Sequence, residues 1–206
     1  MELLKSKKFI TNLLCTCALI LISFIVYSNS LHGDFLIDDQ AGILHNQKIH
    51  NLGEYLTQHL HVTEIGFLGD LSTAVYWHLF RDNPFGYHCL SVIAHIVCVL
   101  LLFCLLRLLF KNTALAFLGS LVFAVHPIHT EAVSWISGRF YVIQTVFYLS
   151  SFICYVKARY SMRWFMLSLG FLVVCLMLGS NVVSLPIMFL AYELLFPDIS
   201  KSNPRY

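Results

Sequence analysis

Two short stretches hold most of the side chains in this sequence that could do chemistry. The first is FLIDDQAGILHN, residues 35–46, where Asp38 and Asp39 stand side by side. The second is HPIHTEAVSWISGR, residues 126–139, which gathers His126, His129 and Glu131 and closes on Arg139. Carboxylates and imidazoles can move a proton or hold a hard divalent cation, while a guanidinium clamps phosphate through a planar fork of donors. Brought together beside a membrane, the two stretches would suit an anionic headgroup that carries phosphate. Plainer readings stay open for every one of these residues. Asp38 and Asp39 can close an Asx-type turn, and His126 and His129 can cap a helix and face headgroups. Glu131 can form a structural ion pair with Arg139, and Arg139 can serve as an interface anchor.

The elements that must position these groups are membrane helices. The chain is 58% hydrophobic and 12% charged, with a mean hydropathy of +0.75, which excludes an ordinary water-soluble domain of 206 residues. Apolar runs long enough to span about 30 Å of hydrocarbon recur along it. Six spans are expected: Phe9–Tyr27, His88–Phe110, Ala114–Val125, Phe140–Ala158, Trp164–Gly179 and Val182–Phe196. The third and sixth are short, so five spans is the alternative.

Charge placement orients this map. With Lys5, Lys7 and Lys8 in the cytoplasm, ten of the 13 Lys and Arg fall inside, and only Lys48, Arg81 and Arg139 fall outside. Both chemistry-bearing stretches then share the non-cytoplasmic side. The first span exceeds a usual signal-peptide core and precedes no A-x-A site, so it reads as an uncleaved anchor. The seven Cys lie in or at the edge of predicted spans and form no loop pair, which points to small apolar packing rather than disulfides. A net charge of +2 implies no nucleic-acid partner.

Residues 28–87 form the one large hydrophilic segment. Leu52, Tyr55, Leu56, His59 and Leu60 repeat at helical spacing behind Asn51, with Glu54 completing a capping box. The spacing returns in Leu71, Ala74, Val75, His78 and Leu79, behind Asp70 or Ser72 as cap. Two amphipathic helices on the membrane surface are therefore predicted, His59 and His78 packing at the interface. DNPFG makes a turn, and Tyr87 enters the bilayer at an aromatic belt. Inside the second span, His95 is expected as a neutral ring bonded to a neighbouring helix. Glu193 is expected to snorkel toward Lys201 or Arg205.

Four segments carry a family resemblance: NSLHGDFLIDDQAGILHN, NPFGYHCLSVIAH, HPIHTEAVSWISGR and SLPIMFLAYELL. In this order they resemble the transmembrane-and-tetratricopeptide-repeat O-mannosyltransferases and their bacterial relatives, a GT-C family, from about Tyr27 to Leu195. The resemblance implies an all-α, polytopic, GT-C-like domain over residues 1–206, with residues 28–87 as a catalytic-type loop. It implies transfer of a sugar from a polyprenyl-phosphate donor on the lumenal or periplasmic face of the endoplasmic reticulum membrane or bacterial inner membrane. Asp38 and Asp39 would be the catalytic acids, His126, His129 and Glu131 would line the site, and Arg139 would meet the lipid phosphate. A divalent metal, Mg or Mn, would sit at Asp39 and His129. Departures point the other way: Gly69-Asp70 stands where the family usually has Arg-Pro, and Ser91, Tyr141 and the Gly179-Ser180 region also lack the family's polar groups. The alternative is a catalytically degenerate membrane subunit that acts as a scaffold or assembly partner for another membrane protein.

Overall fold

A computed structural model describes residues 2–59 and 66–197. Leu60, Glu64, Lys201 and Arg205, and the side chains of Lys5, Glu54, His59 and Ser180, lie outside the described residues, together with the expectations placed on them. The chain runs α1 (Glu2–Tyr27), a 3-10 turn (Ser28–His32), α2 (Ile37–Asp39), a π-helical turn (Gln40–Leu44), α3 (Gln47–His50), α4 (Leu52–His59) and α5 (Phe67–Phe80). It continues through α6 (Pro84–Phe110), α7 (Thr113–Val125), a 3-10 turn (Pro127–His129), α8 (Thr130–Ser134), α9 (Arg139–Ala158), α10 (Met162–Leu178), a 3-10 turn (Ser180–Val183) and α11 (Ser184–Leu195). Every described element is helical.

An apolar helix stands at each of the six expected places, and the six differ in length. Three are long and apolar enough to cross a membrane, ending at His32, Phe110 and Ala158, and a fourth arises if α7 and the bent segment Pro127–Ser134 count as one. At 1.5 Å per residue, the 13 residues of α7 and the 12 of α11 reach only about 20 Å and 18 Å. By its apolar helices the chain is an integral membrane protein, with three to four helices of spanning length among the described residues and two shorter apolar helices after them.

Local sequence sets the helix ends. Asn83 accepts a hydrogen bond from Phe85 N at 3.1 Å and Pro84 opens α6, while Asn112 caps α7 through Ala114 N and Leu115 N. The long helix α6 is central and packs on α1, α7 and α9, and α9 lies along α10. One core gathers Val92, Leu105, Leu149, Phe152, Cys175 and Leu185, and a second joins Leu19 of α1 to Val99, Phe103 and Ala116. Polar groups inside the bundle close on each other, as they must where no water competes. Ser151 Oγ donates to Ser168 O at 2.8 Å, Ser168 Oγ returns a bond to Ser151 O at 2.9 Å, and Gln144 Nε2 donates to Gly179 O at 2.8 Å. The outward faces of α1, α10 and α11 are apolar, as lipid contact requires.

A third core lies under the outer loop and positions the site. Ile43, Ile49, Ala74, Tyr87 and Ile136 are its buried members, with Tyr76, Trp77 and Phe80 packed against it. Tyr87 is fully buried, its hydroxyl donating to Arg81 O at 3.0 Å, so it is a core residue and not part of an aromatic belt. Helix α5 forms as predicted, but its inward face is Thr73, Tyr76, Trp77 and Phe80 with Ala74. Val75 and Leu79 turn outward, with Leu79 64% exposed. In a membrane setting the most apolar stripe need not face the protein, because lipid solvates it equally well. The cap of α5 is Gly66 at φ 98°, not Asp70 or Ser72, since that left-handed turn suits glycine.

Candidate functional site

Asp38 and Asp39 part company at once. Leu36 and Ile37 point outward, 57% and 86% exposed, and one residue further on Asp39 is fully buried while Asp38 stays exposed. Asp39 Oδ2 accepts from Leu36 N at 2.9 Å, which closes the first turn of α2. Its Oδ1 accepts from Ser137 N at 2.8 Å and from the Ser137 hydroxyl, 98 residues away in sequence. The carboxylate therefore fastens the first outer segment to the second. Three donors on a buried carboxylate offset much of the cost of taking its charge out of water.

Ser137 is followed by Gly138 and Arg139, and the guanidinium also turns inward. Arg139 is 4% exposed. Its Nη1 donates to Ile136 O at 2.8 Å and its Nη2 to Thr73 Oγ1 at 2.5 Å, and it lies 5.1 Å and 5.8 Å from the ring centroids of Tyr76 and Tyr87. Burial raises the Tyr76 phenol above its ordinary pKa, with the positive Arg139 opposing the rise. Arg139 Nε is buried and without a hydrogen-bond partner among the described residues. The guanidinium is neither a rim anchor nor the partner of Glu131, which is exposed.

Gly138 makes this placement possible. A methyl group there would stand 2.6 Å from Glu131 O and 3.2 Å from the Trp135 ring, so α8 and the start of α9 approach as closely as they do only because the residue has no side chain. We expect Gly138→Ala to cost about 1–3 kcal/mol, as overpacking does, and to displace Arg139. A lowered melting temperature in detergent checks this, and an unchanged one would show that the loop yields freely.

Arg139, Ser137, Thr73 and Asp70 line a cavity of about 350 Å³ together with Gly42 and Gly66. His126, His129 and Glu131 do not line it. Pro127 ends α7 and the chain bends by 48°, which carries the imidazoles elsewhere. His126 Nδ1 accepts from Ile128 N at 3.2 Å and caps the short 3-10 turn. His129 packs with its ring 4.2 Å from Phe123 and 5.5 Å from His95. His95 is buried in α6, and its Nε2 donates to Ala124 O of α7 at 3.2 Å, the interhelical bond its position suggests. The second outer segment thus divides its chemistry: Ser137 and Arg139 join Asp39, His129 joins the α6–α7 contact and His126 caps the 3-10 turn.

The donor set for a metal at Asp39 and His129 does not fit. Both Asp39 oxygens are engaged by Leu36 and Ser137, and His129 packs with Phe123 and His95. Among the described residues no group of three or more His, Cys, Asp and Glu could hold a metal ion. Sequence reasoning also missed Thr73, Ser137 and Asp70 as cavity residues. Only the SG before Arg139 hinted at them, a small-residue pair that allows close approach.

No protein-family model matches the chain, and no solved structure matches it. Curated proteins do match. Protein O-mannosyl-transferase F38B6.6 of Caenorhabditis elegans is 33% identical over 160 residues, covering 68% of this chain and 23% of that protein. Protein O-mannosyl-transferase TMTC1 of Mus musculus is 33% identical over 150 residues, or 66% of this chain and 16% of its own. Protein O-mannosyl-transferase tmtc2 of Xenopus laevis is 34% identical over 179 residues, or 76% and 21%. The chain resembles the family that its motifs suggested, and it spans about a fifth of the length of these relatives.

Proposed function

From a chain that resembles the protein O-mannosyl-transferases over about two thirds of its length, we propose a GT-C-like membrane glycosyltransferase module. Its outer cavity binds the phosphate of a polyprenyl-linked sugar. The observation that carries this reading is Arg139: a guanidinium 4% exposed, lining a cavity of about 350 Å³, with Nε lacking a partner among the described residues. A buried cation with an unused donor is completed by an anion, and the planar fork suits phosphate oxygens. The excess of Lys and Arg on the opposite side supports a cavity facing the lumen or periplasm, with the N-terminus cytoplasmic.

In transfer, an acceptor hydroxyl would bond to the anomeric carbon as the bond from that carbon to the phosphate oxygen breaks. The phosphate leaves with the electron pair and takes up the proton that the hydroxyl gives up, and Arg139 stabilises the charge that develops there. Asp39 acts in this scheme as a positioning residue: it holds Ser137, and through it the start of α9, against the first outer segment.

Farnesyl phosphate, a short isoprenyl monophosphate, tests the reading in protein reconstituted in lipid nanodiscs. Saturable binding that farnesol does not reproduce is expected, and equal binding of alcohol and phosphate would overturn it. The engagement of Asp39 in structure also favours the second reading, a non-catalytic subunit that retains the lipid-phosphate pocket. A serine- or threonine-bearing peptide incubated with mannosyl farnesyl phosphate separates the two, since only the enzyme yields mannosyl peptide.

A further inference from the structure

The cavity at Arg139 has a neighbour that the proposed phosphate site leaves unexplained. A second cavity of about 290 Å³ is lined by Asn46, Lys48, Tyr55, Phe67, Asp70 and Thr73. The two share Gly42, Asp70 and Thr73, so they adjoin, with Asp70 on their common boundary. Ligand sites run from roughly 300 to 1,000 Å³, and neither lobe alone is more than a small one.

The second lobe has a distinct chemical character. Asp70 brings a carboxylate and Asn46 an amide, both able to exchange hydrogen bonds with alcohol groups, while the Thr73 hydroxyl is engaged by Gly69 O and Arg139 Nη2. The rings of Tyr55 and Phe67 lie nearly parallel, with an interplanar angle of 15° and centroids 6.5 Å apart. Aromatic faces beside a carboxylate and an amide suit a pyranose, whose C–H face is apolar and whose rim is hydroxylated. Backbone geometry fixes Asp70, in the first turn of α5, through Asp70 N donating to Gly66 O at 3.2 Å.

We propose that this second lobe is the sugar subsite, with Asp70 accepting hydrogen bonds from the hydroxyls of a phosphosugar whose phosphate lies at Arg139. The proposal rests on the Arg139 reading and moves the substrate-facing carboxylate from the Asp38–Asp39 pair to a residue that the sequence offers only as a helix cap. Lys48 also lines the lobe and adds a further donor for a ring hydroxyl.

Two lipids of equal charge test it: mannosyl farnesyl phosphate and methyl farnesyl phosphate, titrated into the full chain in nanodiscs. The wild-type protein should bind the mannosyl ester about tenfold more tightly, as one charge-assisted hydrogen bond warrants. Asp70→Asn should remove most of that preference, read as the ratio of mannosyl-ester to methyl-ester affinity because Asp70 also lines the phosphate cavity, and Asp70→Glu, which keeps the carboxylate, should restore part of it. An Asp70→Asn protein that keeps the full preference, or a wild-type protein with none, overturns the sugar subsite and leaves the phosphate site standing. Failure of both esters to bind overturns the phosphate site and the sugar subsite together.

Discussion

Replacing Asp39 with alanine is expected to loosen the whole outer face of the protein and to lower its stability by about 3 kcal/mol. Leu36 N and Ser137 N would lose their acceptor together, along with the Ser137 hydroxyl. Each backbone donor left buried and unpaired costs about 1–3 kcal/mol, partly offset because a buried charge is removed. Asp39→Asn should recover only part of the loss, since its amide NH2 would face a donor at Leu36 or at Ser137. Thermal melting in detergent measures the sum, and hydrogen exchange at the Leu36 and Ser137 amides locates it. Normal melting and unchanged exchange in Asp39→Ala would show that the carboxylate is no fastening. If the protein then also lost transfer, Asp39 would regain a chemical role.

The second large effect is expected at Arg139. Arg139→Lys keeps the charge but gives up the planar fork, and one ammonium cannot serve Ile136 O, Thr73 Oγ1 and a phosphate in the same geometry. Farnesyl phosphate affinity should fall about a hundredfold, or ~3 kcal/mol, the range of a lost bond between charged partners. Arg139→Met should remove binding altogether and also lower the melting temperature, because Thr73 and Ile136 lose their donor and Asp39 loses a nearby positive charge. Arg139→Lys protein that binds farnesyl phosphate as well as wild type would assign the guanidinium to packing alone.

Some of this was legible in the residues and some was not, and the difference has a cause. Apolar runs gave helices in all six places because a backbone in hydrocarbon must satisfy its own hydrogen bonds, which a helix does within one segment. Asn83, Pro84 and Asn112 set their helix ends by local capping, which needs no distant partner, yet the sequence suggests only a turn at DNPFG, where Pro84 in fact opens α6. The rotation of α5 was not legible. Val75 and Leu79 turn away from the protein, as a stripe lying on a membrane surface would, but Ala74 of the same stripe is buried and Thr73, Tyr76 and Trp77 turn in. The hydrophobic face of a helix identifies the inside only where the outside is water.

The candidate site divides in the same way. The residue types alone determined a membrane protein with two chemistry-bearing outer segments, and the order of its motifs determined its resemblance to O-mannosyl-transferases. Only the tertiary structure decided which side chains meet. Adjacent Asp38 and Asp39 separate because one-residue steps around the first turn of α2 send one carboxylate out and the next inward to Ser137. His126 and His129 leave the pocket because the bend at Pro127 spends them on a cap and on packing against α6. Asp70 and Thr73 enter it because α5 settles on the core beneath the loop. Local composition sets which elements form, whereas a site is made by contacts between segments far apart in the chain, and those depend on how every face packs at once.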